Sequence, residues 1–117
     1  MLVKNTHEIE AAAVKDGIGV AKKVLIARED APHFEMRSFI IQPGGKMPNH
    51  INKVEHEQYV LRGQAQVSIG DEIFDVQQGD VLFIPAGIPH WYMNTGTDAF
   101  EFICVVPNKP DTVTILE

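Results

Sequence analysis

Turn-forming residues recur along this chain at intervals of strand length: Pro43-Gly44-Gly45, Gly63, Gly70-Asp71, Gly79-Asp80, Pro85-Ala86-Gly87, Asn94-Thr95-Gly96 and Pro107. The stretches between them are Glu35 to Gln42, His56 to Leu61, Gln64 to Ile69, Glu72 to Val76, Val81 to Ile84, His90 to Asn94 and Ala99 to Val106, all rich in Val, Ile, Phe and Tyr. Such residues fit the pleated, half-buried surface of a strand. Many short strands at this spacing predict an antiparallel sandwich or barrel. Gly70-Asp71, between Ile69 and Glu72, reads as a tight hairpin turn, because glycine supplies the positive φ that such turns require.

The N-terminus is different. Ala11 to Ala13 favour a helix from about Glu8 to Lys15, which Asp16-Gly17 would end. Val20 to Ala27 is apolar enough for a further strand, free to pair with its own sheet or a neighbour's. With 117 residues there is room for one hydrophobic core and not two. No repeat or linker divides the chain, so residues 1–34 read as an extension of a single barrel over residues 35–117.

Sixteen acidic residues against ten basic ones give a formal charge of −6, and no window gathers Lys and Arg into a stripe that could neutralise phosphates. Nucleic acid is therefore not an expected partner. Lys4, His7, Glu8 and Glu10 interrupt the apolar residues of the start, and no apolar run reaches membrane-spanning length. A cytoplasmic protein is expected, away from any membrane. Cys104, the single cysteine, allows no internal disulfide and fits a reducing compartment.

Three of the five histidines stand where strand geometry could aim them at one point. His50 and His56 flank a short Asn/Lys segment, and His90 follows the corner Pro85-Ala86-Gly87-Ile88-Pro89. Residues two apart in a strand share a face, so Asn52 follows His50 wherever the backbone is extended. Converging neutral imidazoles suit Zn, Fe, Ni, Cu and, less strongly, Mn. His7 and His33 read as surface residues.

The spacing around these histidines resembles both sequence motifs of the cupin superfamily. The second motif runs Gly, five residues, Pro-x-Gly, two residues, His, three residues, Asn. Gly79, Pro85, Gly87, His90 and Asn94 match it at every fixed position. The first runs Gly, five residues, His-x-His, three or four residues, Glu, six residues, Gly. Here Gly44, His50 and Gly63 match, Asn52 stands for the second histidine, and His56 stands for the glutamate. Glu57 competes with His56 for that last place, because a gap of four also suits the family. The count of six residues to Gly63 favours His56.

The resemblance covers roughly residues 35 to 107 and is closest to the small single-domain "cupin 2" type, some of which carry four histidines. It implies an all-β jelly roll, or double-stranded β-helix, with one divalent metal ion between two sheets. Its ligands would be His50, His56 and His90. Asn52 would be a weak fourth ligand through its amide oxygen, or a hydrogen-bonding group behind the ligands. An N-terminal extension in similar proteins often serves a homodimer by strand exchange.

Alternation fills in the surroundings. With His90 inward, Ile88 and Tyr92 are inward and Trp91 is outward. Phe100, Phe102, Cys104 and Val106 share one face of their strand, read as the interior because Glu101 stands on the other, and Cys104 reads as a small core residue. Arg37 and Phe39 share one face of the Glu35 to Gln42 strand, which could be either face; an inward Arg37 would be a carboxylate anchor. Trp91, Tyr59 and Leu61 are candidates for an oligomer interface. The expected partner is a small molecule. The first expectation is a dioxygenase-like enzyme on a small oxygenated substrate, with an ion of Fe, Mn, Ni, Cu or Zn. A non-catalytic ligand- or metal-sensing barrel and a redox-neutral isomerase or decarboxylase are the alternatives.

Overall fold

The computed structural model describes residues 1–116. A single 3-10 turn, Thr6–Glu8, is followed by ten strands: β1 (Ala12–Ala13), β2 (Ile18–Ile26), β3 (Phe34–Asn52), β4 (His56–Arg62), β5 (Gln64–Ile69), β6 (Glu72–Gln77), β7 (Val81–Ile84), β8 (His90–Asn94), β9 (Phe100–Pro107) and β10 (Val113–Ile115). No helix among the described residues is long and apolar enough to cross a membrane.

The helix expected over Glu8 to Lys15 does not form. The Asn5 side chain caps the 3-10 turn by accepting from His7 N, Ile9 is already extended, and Ala12–Ala13 pair with Ala21 and Lys22. A segment this short gains little from alanine's propensity, and pairing along β2 outweighs it. β2 itself pairs with its own chain, from Val20 opposite Ile41 to Val24 opposite Arg37.

Pro43-Gly44-Gly45 does not end a strand as expected; β3 runs through it for 19 residues. Pairing with β9 stops at Ile41, and pairing with β8 begins at Lys46. Residues 42–45 are thus the point where one long strand passes from one sheet to the other. Proline has no N–H to offer a ladder, and a Cβ on Gly45 would meet Ile18 O at 2.6 Å. The first half of β3 joins β2, β9, β4 and β7; the second half joins β10, β8, β5 and β6. Ten antiparallel strands so arranged make the jelly-roll barrel.

The hairpin at Gly70-Asp71 is present, with Ile69 opposite Glu72 and Gly70 at φ +62°. The strands that face the interior alternate: on β9, Phe100, Phe102, Cys104 and Val106 are all buried, and on β4 so are His56, Gln58 and Val60. The apolar core joins Val60 and the four β9 residues to Ile41, Val67, Ile84 and Tyr92. His7, His33, Tyr59 and Leu61 are exposed, and Trp91 is half-buried.

Candidate metal centre

The second half of β3 turns His50 and Asn52 inward, the start of β4 brings in His56, and the start of β8 brings in His90 directly opposite His50. All four are buried, each 6% exposed or less. The His50 and His90 ring centroids are 4.1 Å apart, and those of His56 and His90 are 5.7 Å apart. Glu57, the competitor of His56, is exposed on the outer face. The His90 corner is tied to this cluster through its backbone, since Gly87 N donates to Asn52 O at 2.9 Å.

Hydrogen bonds fix which ring nitrogen is free. His50 Nδ1 lies 2.7 Å from Pro48 O and His90 Nδ1 lies 2.9 Å from Ile88 O. A carbonyl oxygen only accepts, so both Nδ1 atoms carry the proton and both Nε2 atoms keep the lone pair. His56 Nδ1 lies 3.1 Å from Cys104 Sγ. The Nε2 atoms of His56 and His90 and the Asn52 Oδ1 are buried without a hydrogen-bond partner.

Burial keeps these rings neutral. It is the main cause that lowers His56 to about 3, with Arg37 and His90 adding to it, and that lowers His90 to about 4, with His50 adding to it. His50 is also lowered, chiefly by burial and against the Pro48 carbonyl. Neutral imidazole is the form that binds a metal. The rings are gathered and not closed up. Among the described residues no three His, Cys, Asp or Glu side chains already stand in a metal-holding cluster, and the His56–His90 contact is looser than that of His50 with His90. The donor chemistry nonetheless fits a divalent cation. Buried acceptors without a donor are costly unless something positive meets them.

Arg37 is inside the barrel. Its Nη2 donates to Cys104 Sγ at 3.4 Å, its guanidinium lies 5.2 Å from the centroid of the Phe39 ring, and its Nε stands 3.6 Å from Glu35, within ion-pair range but short of a hydrogen bond. Phe39, Phe102 and Tyr92 form one stack, with centroid spacings of 5.3 Å and 5.1 Å. Tyr92 also meets His90 edge-on. The five residues expected at the pocket, Arg37, Phe39, Tyr92, Phe102 and Cys104, therefore lie together. The cleft at Tyr59, Gly63, Gln77 and Asp98, about 650 Å³, is separate from them.

Two residues at the site were not among those expected. Gln58 Nε2 donates to Tyr92 Oη at 2.8 Å and lies 3.7 Å from Cys104 Sγ, leaving its Oε1 buried and unpartnered. Alternation with His56 was the signal for it. Asp111 accepts from Asn52 Nδ2 at 3.0 Å and from Lys53 N at 2.7 Å; nothing local in sequence announces it. Asn94, the last residue of the second motif, does not line the cluster. It donates to Ile41 O and Asp98 O and accepts from Gly96 N, so it holds the turn that follows β8.

The chain is 30% identical over 81 residues to an uncharacterized protein of Methanocaldococcus jannaschii, covering 67% of this chain and 65% of that one, so it spans just under two thirds of that relative's length. Its backbone is similar to that of the polyketide cyclase RemF from Streptomyces resistomycificus, with a TM-score of 0.89 at 27% identity, covering 100% of this chain and 87% of the other. A cupin 2 conserved barrel domain protein from Rhodopseudomonas palustris superimposes with a TM-score of 0.81 at 27% identity, covering 93% and 77%. The family model of the cupin domain (Cupin_2) matches residues 37–106. That span is more than half of the chain and includes every histidine of the cluster, so the chain belongs to the cupin domain family.

Proposed function

We propose that this barrel is a mononuclear metal-dependent enzyme acting on a small, flat, oxygen-rich molecule. His50, His56 and His90 would hold one divalent ion, of the group Fe, Mn, Ni, Cu and Zn, through their Nε2 atoms, with Asn52 Oδ1 as a fourth donor. The observation that carries this reading is the set of buried acceptor atoms without a partner, Nε2 of His56 and His90 and Oδ1 of Asn52. When bound, such an ion supplies Lewis acidity toward an oxygen of the substrate.

The chain's own residues supply the rest. The Phe39–Phe102–Tyr92 stack offers a flat apolar wall. Gln58 donates to Tyr92 Oη, which leaves the phenol proton free for a substrate oxygen. Burial raises the Tyr92 hydroxyl well above its usual range and raises the Cys104 thiol above its own. Both keep their protons at neutral pH, so Tyr92 is a donor and not a base. Arg37 Nε, buried and without a hydrogen bond, suits an anionic group on the substrate.

The similarity to a polyketide cyclase over the whole chain favours redox-neutral chemistry on an enolisable carbonyl compound. A second reading, a dioxygenase, draws on the donor set. Three imidazoles and an amide are all neutral and leave the ion its full charge to attract an enolate, catecholate or carboxylate.

Protein loaded in turn with Fe(II), Mn(II) and Zn(II) and given β-diketone, polyketone and catechol substrates in an oxygen electrode separates the two. Product formation without dioxygen uptake supports the first reading. Substrate loss with stoichiometric uptake supports the dioxygenase. Binding without turnover of any substrate would contradict both and leave a ligand-sensing barrel.

A further inference from the structure

We propose that Asp111 is a positioning residue for the metal centre: its carboxylate turns the Asn52 amide so that the amide oxygen faces the histidines and serves as an oxygen donor beside three imidazoles. This rests on the metal-binding reading above and goes beyond it.

The two ends of an amide are alike in shape and opposite in chemistry, so a neighbour decides which end faces where. Asp111 Oδ2 accepts from Asn52 Nδ2 at 3.0 Å. A carboxylate only accepts; the reversed amide would set Oδ1 against it, two acceptors in contact. The other carboxylate oxygen accepts from Lys53 N at 2.7 Å, which holds the carboxylate still. With the NH2 end fixed outward, Oδ1 is left buried and unpartnered in a side chain that is 6% exposed. An oxygen aimed inward with no donor to meet it is what a cation ligand looks like before the cation is counted.

Asp111 is delivered by the C-terminal segment. β10 pairs along the ligand-bearing stretch of β3, Val113 opposite Asn52 and Ile115 opposite His50, and Leu116 N donates to Asn49 O at 3.0 Å. Residues 111–116 therefore bind the whole stretch 49–53. They lie beyond the span matched by the family, which ends at residue 106.

The test is calorimetric titration of metal-free, full-length protein with Mn(II) and with Zn(II), in wild type, Asp111→Ala, Asp111→Asn, Asn52→Ala and the double variant Asn52→Ala/Asp111→Ala. Asp111→Ala should weaken Mn(II) binding by roughly 10- to 100-fold, the usual cost of losing a group that orients a ligand. The loss should be smaller for Zn(II), which depends less on an oxygen donor. Asp111→Asn keeps one acceptor oxygen, which can serve Asn52 Nδ2 or Lys53 N but not both, and should fall between wild type and Asp111→Ala. In the Asn52→Ala background, Asp111→Ala should add little, because the amide through which Asp111 acts would be gone and only its weaker through-space effect on His50 and His56 would remain.

An equal loss from Asp111→Ala in both backgrounds would overturn the proposal, since it would mean that Asp111 acts through its charge or through packing. So would an unchanged affinity in Asp111→Ala. A wild type that binds neither metal would overturn the metal-binding reading itself, a different result. Should Asp111→Ala fail to fold, Asp111→Ser carries the same expectations, because its hydroxyl can still cap Lys53 N but is too short to hold the amide.

Discussion

His56 Nδ1 lies 3.1 Å from Cys104 Sγ, and through that contact the histidine cluster is joined to the polar groups behind it. The same sulfur is 3.4 Å from Arg37 Nη2 and 3.7 Å from Gln58 Nε2. Cys104→Ala would leave His56 Nδ1 and Arg37 Nη2 without this acceptor, while Gln58 Nε2 keeps Tyr92 Oη, at a cost of about 1–3 kcal/mol, and would free the His56 ring to turn. Cys104→Ser keeps an acceptor and should cost less. Urea midpoints of the two variants give the order, and metal titration should show weaker binding in Cys104→Ala.

Acid should unfold the metal-free protein in a defined window. In the unfolded chain histidine protonates near 6.5, whereas folded His90 does so at about 4 and His56 at about 3. Between those limits the unfolded state holds more protons, so stability rises with pH. It is complete above about 6.5 and is lost as pH falls toward 4 and below, each ring contributing several kcal/mol. A Tm series should be level from pH 7.5 to about 6.5 and fall from there to pH 4. His90→Asn, which does not titrate, should flatten the slope.

Phe102 stands in the middle of the aromatic wall, touching Phe39, Tyr92 and Phe100 with centroid spacings of 5.3, 5.1 and 5.5 Å. Phe102→Ala should cost about 3–5 kcal/mol, since it removes a buried ring and leaves a cavity among others. Phe102→Leu should recover much of that stability without restoring the flat wall. Substrate turnover should then stay low in a folded protein, which circular dichroism and an activity assay would establish together.

Gly63 and Gly79 both have positive φ, +82° and +91°, yet they should respond differently to alanine. A Cβ at Gly63 would stand 2.3 Å from Ala99 O, while one at Gly79 meets nothing within 4 Å. Gly79→Ala should therefore cost about 1 kcal/mol for its backbone conformation alone. Gly63→Ala should cost distinctly more, because backbone must move. Thermal melts of the two variants decide this.

Much of this arrangement was legible in the sequence. Alternation put His90 with Tyr92, and Phe102 with Cys104, on inner faces, because a strand that buries one face has a fixed period of two. The corner before His90 and the hairpin at Gly70 were equally clear, since glycine there has a conformational reason. The N-terminal helix that the sequence suggests is absent because alanines express only a local preference, whereas pairing of Ala12–Ala13 with β2 is a contact between distant residues. Pro43-Gly44-Gly45 looks like a stop in sequence because the same residues that end a strand also let one bend between sheets. Arg37 could not be assigned a face, since Met36, Ser38 and Ile40 are as apolar as its own row. Asp111 reaches Asn52 across 59 residues, and no local pattern carries that information.

Metal content tests the central claim most directly. Wild-type protein, purified without chelator and then exposed to Fe(II), Mn(II), Ni(II), Cu(II) or Zn(II), should carry close to one ion per chain by elemental analysis. His90→Ala, shown to be folded by circular dichroism, should retain only a small fraction of it, because a buried Nε2 donor is gone. A folded wild type that takes up none of the five metals, or a His90→Ala variant that keeps its full complement, would contradict the account.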